Sequence, residues 1–101
     1  MALVKVCNLS MVPIGNMKQF YVGESEILVV NFGSQVFCLA GRCTHAGAPL
    51  AEGTLNGEVL TCPWHGSQFN VTSGSVVRGP AEKPLRVYSV VVRDGFVFIE
   101  V

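Results

Sequence analysis

The chain has 101 residues, seven Lys or Arg against seven Asp or Glu, and half of its residues are hydrophobic. That length makes one domain with one core and leaves no room for a second catalytic domain. Zero net charge excludes a broad electrostatic grip on nucleic acid and gives no polybasic handle for an anionic membrane, while two histidines in all exclude any site built from three imidazoles.

Seventeen Val, three Ile and four Thr, with eleven Gly and five Pro, point to an all-β fold of short strands and tight turns. Met1-Ala2-Leu3-Val4-Lys5-Val6 lacks the basic-then-apolar order of a signal peptide and reads as a first strand. No stretch approaches the roughly 18 apolar residues of a membrane span. Without an export signal the expected compartment is the cytoplasm, where four cysteines serve metal binding more readily than disulfides.

Strands are expected from Leu3 to Cys7 and, after a Pro13-Ile14-Gly15-Asn16 turn, from Lys18 to Val22. Glu26 to Val30 and Gln35 to Leu39 should pair across the loop Asn31-Phe32-Gly33-Ser34. From Gly41 to Asn70 the texture changes to Gly, Ala, Pro, Thr and Cys, and both histidines lie there. Inside this segment Asn56-Gly57 predicts a type I′ hairpin with positive φ at both residues. The rest of the segment reads as ordered loops, with at most one helical turn near Ala46 to Ala51, limited by Pro49. Arg78 to Pro84 is a stiff, two-proline loop. Leu85 to Val92 and Phe96 to Val101 then form a hairpin on Asp94-Gly95. Tyr21, Tyr88 and most Phe are expected in the core, as are Cys7 and Cys38, small buried hydrophobes rather than a redox pair.

The chemistry is concentrated in Cys43-Thr44-His45 and Cys62-Pro63-Trp64-His65, separated by sixteen residues. Thiolate and neutral imidazole suit iron–sulfur, zinc or copper. An extended C-x-H puts its two Cα atoms at most roughly 7 Å apart, which suits one ligand at each end of a binuclear cluster. Mononuclear zinc more often takes its local pair from C-x₂₋₄-C or H-x₃₋₅-H, so spacing favours two irons and leaves a structural Cys₂His₂ zinc module open. The acidic residues are scattered, and no carboxylate pair suggests acid–base work. Arg42, beside Cys43, has two readings: a charge that steers a partner or tunes the centre, or a solvated surface residue.

These two motifs, with Gly66-Ser67-Gln68-Phe69-Asn70 and the Gly79-Pro80 loop behind them, resemble those of Rieske [2Fe–2S] proteins. The whole chain is similar to the soluble ferredoxin components of ring-hydroxylating dioxygenases. The resemblance implies a Rieske-type fold of stacked antiparallel sheets. Its base would be residues 1–40 and 71–101, with a small cluster-binding subdomain at about 41–70. It implies one [2Fe–2S] cluster, with Cys43 and Cys62 on one iron and His45 and His65, through Nδ1, on the other. Gly79 and Pro80 match the loop that covers the cluster, and Trp64 would shield it. Two thiolates and two neutral imidazoles leave the oxidised cluster uncharged, whereas four thiolates would make it doubly negative. The potential therefore lies in a window of roughly −150 to +300 mV. Ala48 and Trp64 stand where high-potential members carry a disulfide, and Phe69 stands where they carry a hydrogen-bonding Tyr. Only Ser67 matches their hydroxyl donors. Fewer donors to sulfur place the chain in the low-potential, soluble class.

The resemblance further implies a one-electron carrier, fed by an NAD(P)H-dependent flavin reductase and emptied by a terminal oxygenase. A Rieske-like small subunit of a nitrite reductase is the alternative. The partners would dock at His45 and His65, on a rim of Gly47, Pro49, Trp64, Gly66 and Pro80. Oxygenase chemistry itself needs a further iron with histidines of its own, and both histidines are already used.

Overall fold

The computed structural model describes residues 2–101; Met1, the start of the expected first strand, lies outside them. Eleven short strands follow in order: β1 Leu3–Asn8, β2 Met17–Val22, β3 Ser25–Asn31, β4 Val36–Ala40, β5 Thr54–Asn56, β6 Val59–Thr61, β7 Gln68–Asn70, β8 Val76–Arg78, β9 Val87–Tyr88, β10 Val90–Arg93 and β11 Phe96–Glu100. They form three antiparallel sheets, ordered β1-β11-β10, β2-β3-β4-β9 and β5-β6-β7-β8. The fold is all-β, as its Val-rich composition predicts.

β3 explains the stacking. Ile27, Leu28, Val29 and Val30 are all fully buried, a continuous apolar run of the kind that needs cover on both faces. Side chains alternate along a strand. Leu28 and Val30 accordingly join one core with Cys43, Leu60, Cys62 and Phe69, while Ile27 and Val29 join another with Cys7, Cys38, Val97 and Ile99. The sheet containing β3 is thus the middle layer. Each of these aliphatic side chains contributes roughly 1.5–3 kcal/mol by leaving water. Cys7 and Cys38 are buried as expected. Burial pushes both thiols up, Cys38 to about 12.

Several local expectations shift. The hairpin at Asn56-Gly57 is present, but Asn56 pairs with Val59, so the two-residue loop is Gly57-Glu58. Only Gly57 has positive φ, at 60°, the pattern of a type II′ turn rather than I′. Asp94 and Gly95 do both take positive φ, at 53° and 80°, as a type I′ turn requires. The β3–β4 loop starts one residue later than expected, with Asn31 still paired to Val36.

The expected strand from Leu85 to Val92 is in fact two. β9 borders β4 and β10 borders β11, so the chain changes sheet at the exposed Ser89. A corner of this kind lets one segment serve two stacked layers. β7 and β8 were not expected; three-residue strands between Gly and Ser carry no readable alternation. The helical turn near Ala46 to Ala51 is a single 3₁₀ turn, Leu50–Glu52, starting just after Pro49. Another, Leu9–Met11, is capped by Asn8, whose side chain accepts from the Ser10 N–H at 3.0 Å. Tyr21 is not core: it is 66% exposed, on edge strand β2 between the inward-packed Phe20 and Val22.

Candidate metal centre

Both Cys–His motifs fall on loops at one end of the β5–β8 sheet and its neighbour. Residues 43–48 leave β4, and residues 62–67 connect β6 to β7. The two loops are built alike. The Cys43 N–H donates to the Ala48 carbonyl at 2.9 Å, and the Cys62 N–H donates to the Ser67 carbonyl at 2.7 Å. Four residues after each cysteine stands a glycine at positive φ, Gly47 at 74° and Gly66 at 76°. A side chain there would meet the left-handed region's steric penalty, so glycine is what lets each loop turn back.

This construction sorts the donors by depth. Cys43 and Cys62 are 4% and 3% exposed, whereas His45 and His65 are exposed. Both thiols are free rather than joined in a disulfide. The imidazole rings stand edge to face with centroids 5.2 Å apart, so the hairpin between the loops does bring them side by side. Two buried sulfurs beneath two exposed imidazoles fit a binuclear iron–sulfur group whose two irons differ in ligand type.

A third loop closes the site. The Ala81 N–H donates to Ser67 Oγ at 3.0 Å, and the Thr44 hydroxyl donates to the Lys83 carbonyl at 2.6 Å. Each donor loop is therefore stitched to the segment that follows Gly79 and Pro80. Ser67 is fully buried, and accepting from Ala81 leaves its own hydroxyl proton free for another acceptor. Gly79 and Pro80 are exposed, Pro49, Gly47 and Gly66 half-buried, and Trp64 is 56% exposed. A shallow hollow lies between Thr44, His45, Pro80, Glu82 and Lys83.

Arg42 is neither free nor merely solvated. Its guanidinium holds Glu26 of β3, with Nε 2.6 Å from one carboxylate oxygen and Nη2 2.9 Å from the other, and Nη1 donates to the Gly47 carbonyl at 2.8 Å. The bond to Glu26 raises the guanidinium pKa further, so its charge is fixed. Sequence reasoning missed Glu26, Thr44, Ala81 and Lys83 as parts of this end of the molecule, because their partners lie 14 to 39 residues away. The matched Cys-to-Gly spacing of the two loops was legible and is their shared signature.

The profile of the Rieske [2Fe-2S] domain family matches residues 2–89. The ferredoxin CarAc of Metapseudomonas resinovorans is 38% identical over 97 residues, covering 95% of this chain and 91% of that protein. The ferredoxin component of biphenyl 2,3-dioxygenase from Rhodococcus jostii is 35% identical, covering 99% and 94%. Among solved structures, a chain in the complex of reduced oxygenase and oxidised ferredoxin of carbazole 1,9a-dioxygenase superposes with a TM-score of 0.86 at 38% identity, covering 96% of this chain and 91% of that one. The chain therefore belongs to the Rieske [2Fe-2S] family, as a ferredoxin that carries one cluster and passes electrons rather than catalysing a reaction itself.

Proposed function

We propose that Cys43 and Cys62 hold one iron and His45 and His65 the other, and that the chain delivers single electrons to a terminal oxygenase. The observation that carries this reading is the depth order, two buried thiols beneath two exposed imidazoles 5.2 Å apart. When bound, the cluster supplies reversible one-electron uptake. The cysteines then anchor it where water is excluded. The imidazoles present its shortest route to a partner. Segment 41–70 acts as the cluster-binding part on a base of 1–40 and 71–101.

Docking falls on the tip carrying His45 and His65, rimmed by Gly47, Pro49, Trp64, Gly66 and Pro80. With no net charge, the contact relies on local shape and is small and transient. Trp64 and the Gly79-Pro80 loop rim the tip around the exposed imidazoles, and Ser67 tunes the centre through its free hydroxyl proton. The electron donor is a flavin-dependent reductase using NADH or NADPH, and the compartment is the cytoplasm. No helix among the described residues is long and apolar enough to cross a membrane. An oxygenase partner is favoured over nitrite-reductase service because full-length relatives at 35% and 38% identity are ferredoxins, one of them a dioxygenase component.

Trp64→Asp tests the docking surface. Reduction by the reductase and delivery to the oxygenase should both slow by about tenfold, the usual loss at an aromatic anchor, with the visible spectrum unchanged. Unchanged transfer rates would refute docking at this tip.

A further inference from the structure

We propose that Arg42 is a positioning residue for the loop bearing His45, set in place by Glu26 and acting through the carbonyl of Gly47. The proposal rests on the reading of His45 as a ligand. Glu26 lies on β3, the most deeply buried strand, and its own side chain is only 18% exposed. Its carboxylate also accepts from Gln19 Nε2 at 3.0 Å, so β2 fixes it from a second side. The planar guanidinium is then locked by two bonds to that carboxylate, a geometry that arginine alone supplies.

The remaining arm reaches Gly47 at 2.8 Å. Gly47 also donates its N–H to the Cys43 carbonyl at 2.9 Å, closing the turn that contains Thr44, His45 and Ala46. Arg42 therefore pins the far end of the turn on which His45 stands. The second loop needs no such strap. It sits directly on the paired strands β6 and β7, with Thr61 opposite Gln68 and their side chains bonded at 3.2 Å. Beneath the first loop the support is the isolated bridge between Arg42 and Pro49 and the bond from the Gly41 N–H to the Glu26 carbonyl.

Charge decides between the two roles open to Arg42. Glu26 neutralises it at contact distance, so it offers little net field to the centre or to a partner. What it supplies is geometry. Backbone bonds hold the base of the loop without it, from Gly41 N–H to the Glu26 carbonyl at 2.9 Å and from Leu50 N–H to the Gly41 carbonyl at 3.0 Å, so variants at Arg42 retain the fold.

The test compares wild-type holoprotein with Arg42→Gln, Arg42→Lys, Glu26→Gln and the double variant Arg42→Gln/Glu26→Gln. It follows amide hydrogen exchange of residues 42–48 and iron loss to a chelator. In Arg42→Gln, exchange at Cys43 and Gly47 and the rate of iron loss should each rise about tenfold, the low end for a residue supporting a metal ligand. Arg42→Lys can reach Glu26 or Gly47 but not both, and should fall between. Glu26→Gln should speed exchange in the same sense, because it frees the guanidinium that reaches Gly47. Wild-type exchange and iron loss in Arg42→Gln would overturn the proposal. So would recovery of wild-type exchange and iron loss in the charge-balanced double variant Arg42→Gln/Glu26→Gln, which would mark Arg42 as a charge. If wild-type holoprotein itself lacks the spectrum of a histidine-ligated cluster, the reading of the site fails first and separately.

Discussion

The loops 43–48 and 62–67 close with the same backbone bond and turn on a glycine at the same spacing, yet they are secured in opposite ways. The second is tied inward: Ser67, fully buried, accepts from Ala81 beneath the surface. At the equivalent position the first has Ala48, which carries no side-chain acceptor. It is tied outward instead, by Arg42 to Glu26 and Gly47 and by Thr44 to Lys83. Two copies of one local geometry can thus be fixed by different physics. A buried hydrogen bond is insensitive to salt, and a half-exposed ion pair is screened by it.

The largest effects are expected at the cysteines. Cys43→Ser and Cys62→Ser should each yield colourless protein without iron, checked by visible absorbance and iron analysis. Retention of a full cluster in either would show that the loops are not equal partners. A large effect is also expected in the layer beneath. Leu28→Ala and Ile27→Ala should each cost about 2–5 kcal/mol, a fall in Tm of about 10 °C or more for a domain of this size. Only Leu28 faces the core containing Cys43 and Cys62, so only Leu28→Ala should also hasten iron loss.

Ser67→Ala strands the Ala81 N–H and should cost about 1–3 kcal/mol. It should also lower the midpoint potential and show the same Tm loss at low and high salt. Arg42→Gln should change Tm less, and its difference from wild type should shrink with added salt. A further effect is alkaline. The folded-state pKa of Cys38 is raised to about 12 from an ordinary 9.0, so the folded state holds the proton more tightly than the unfolded chain does. That contribution is complete below pH 9 and is lost as pH rises towards 12. Tm of the wild type should therefore fall more steeply between pH 9 and 11 than Tm of Cys38→Ala, measured by calorimetry.

What the sequence disclosed follows the range of the forces. The run Ile27 to Val30, the Asp94-Gly95 turn and the spacing of Cys43, His45, Cys62 and His65 are local patterns, and they were legible. The break at Ser89 was not, because Leu85 to Val92 is uniformly strand-like and only the stacking of two layers divides it. β7 and β8 were too short to alternate. The stitches from Thr44 to Lys83 and from Ser67 to Ala81, like the pairing of Arg42 with Glu26, depend on which segments the fold brings together, and nothing local announces them.

The central claim is that two thiolates and two imidazoles divide one binuclear cluster between them. Electron paramagnetic resonance of the dithionite-reduced holoprotein tests it most directly. The expected result is reddish-brown protein with two irons per chain and a signal whose average g value is lowered, as imidazole ligation of the reduced iron requires. Colourless, signal-free protein with one zinc per chain, or the higher average g of an all-cysteine cluster, would contradict it.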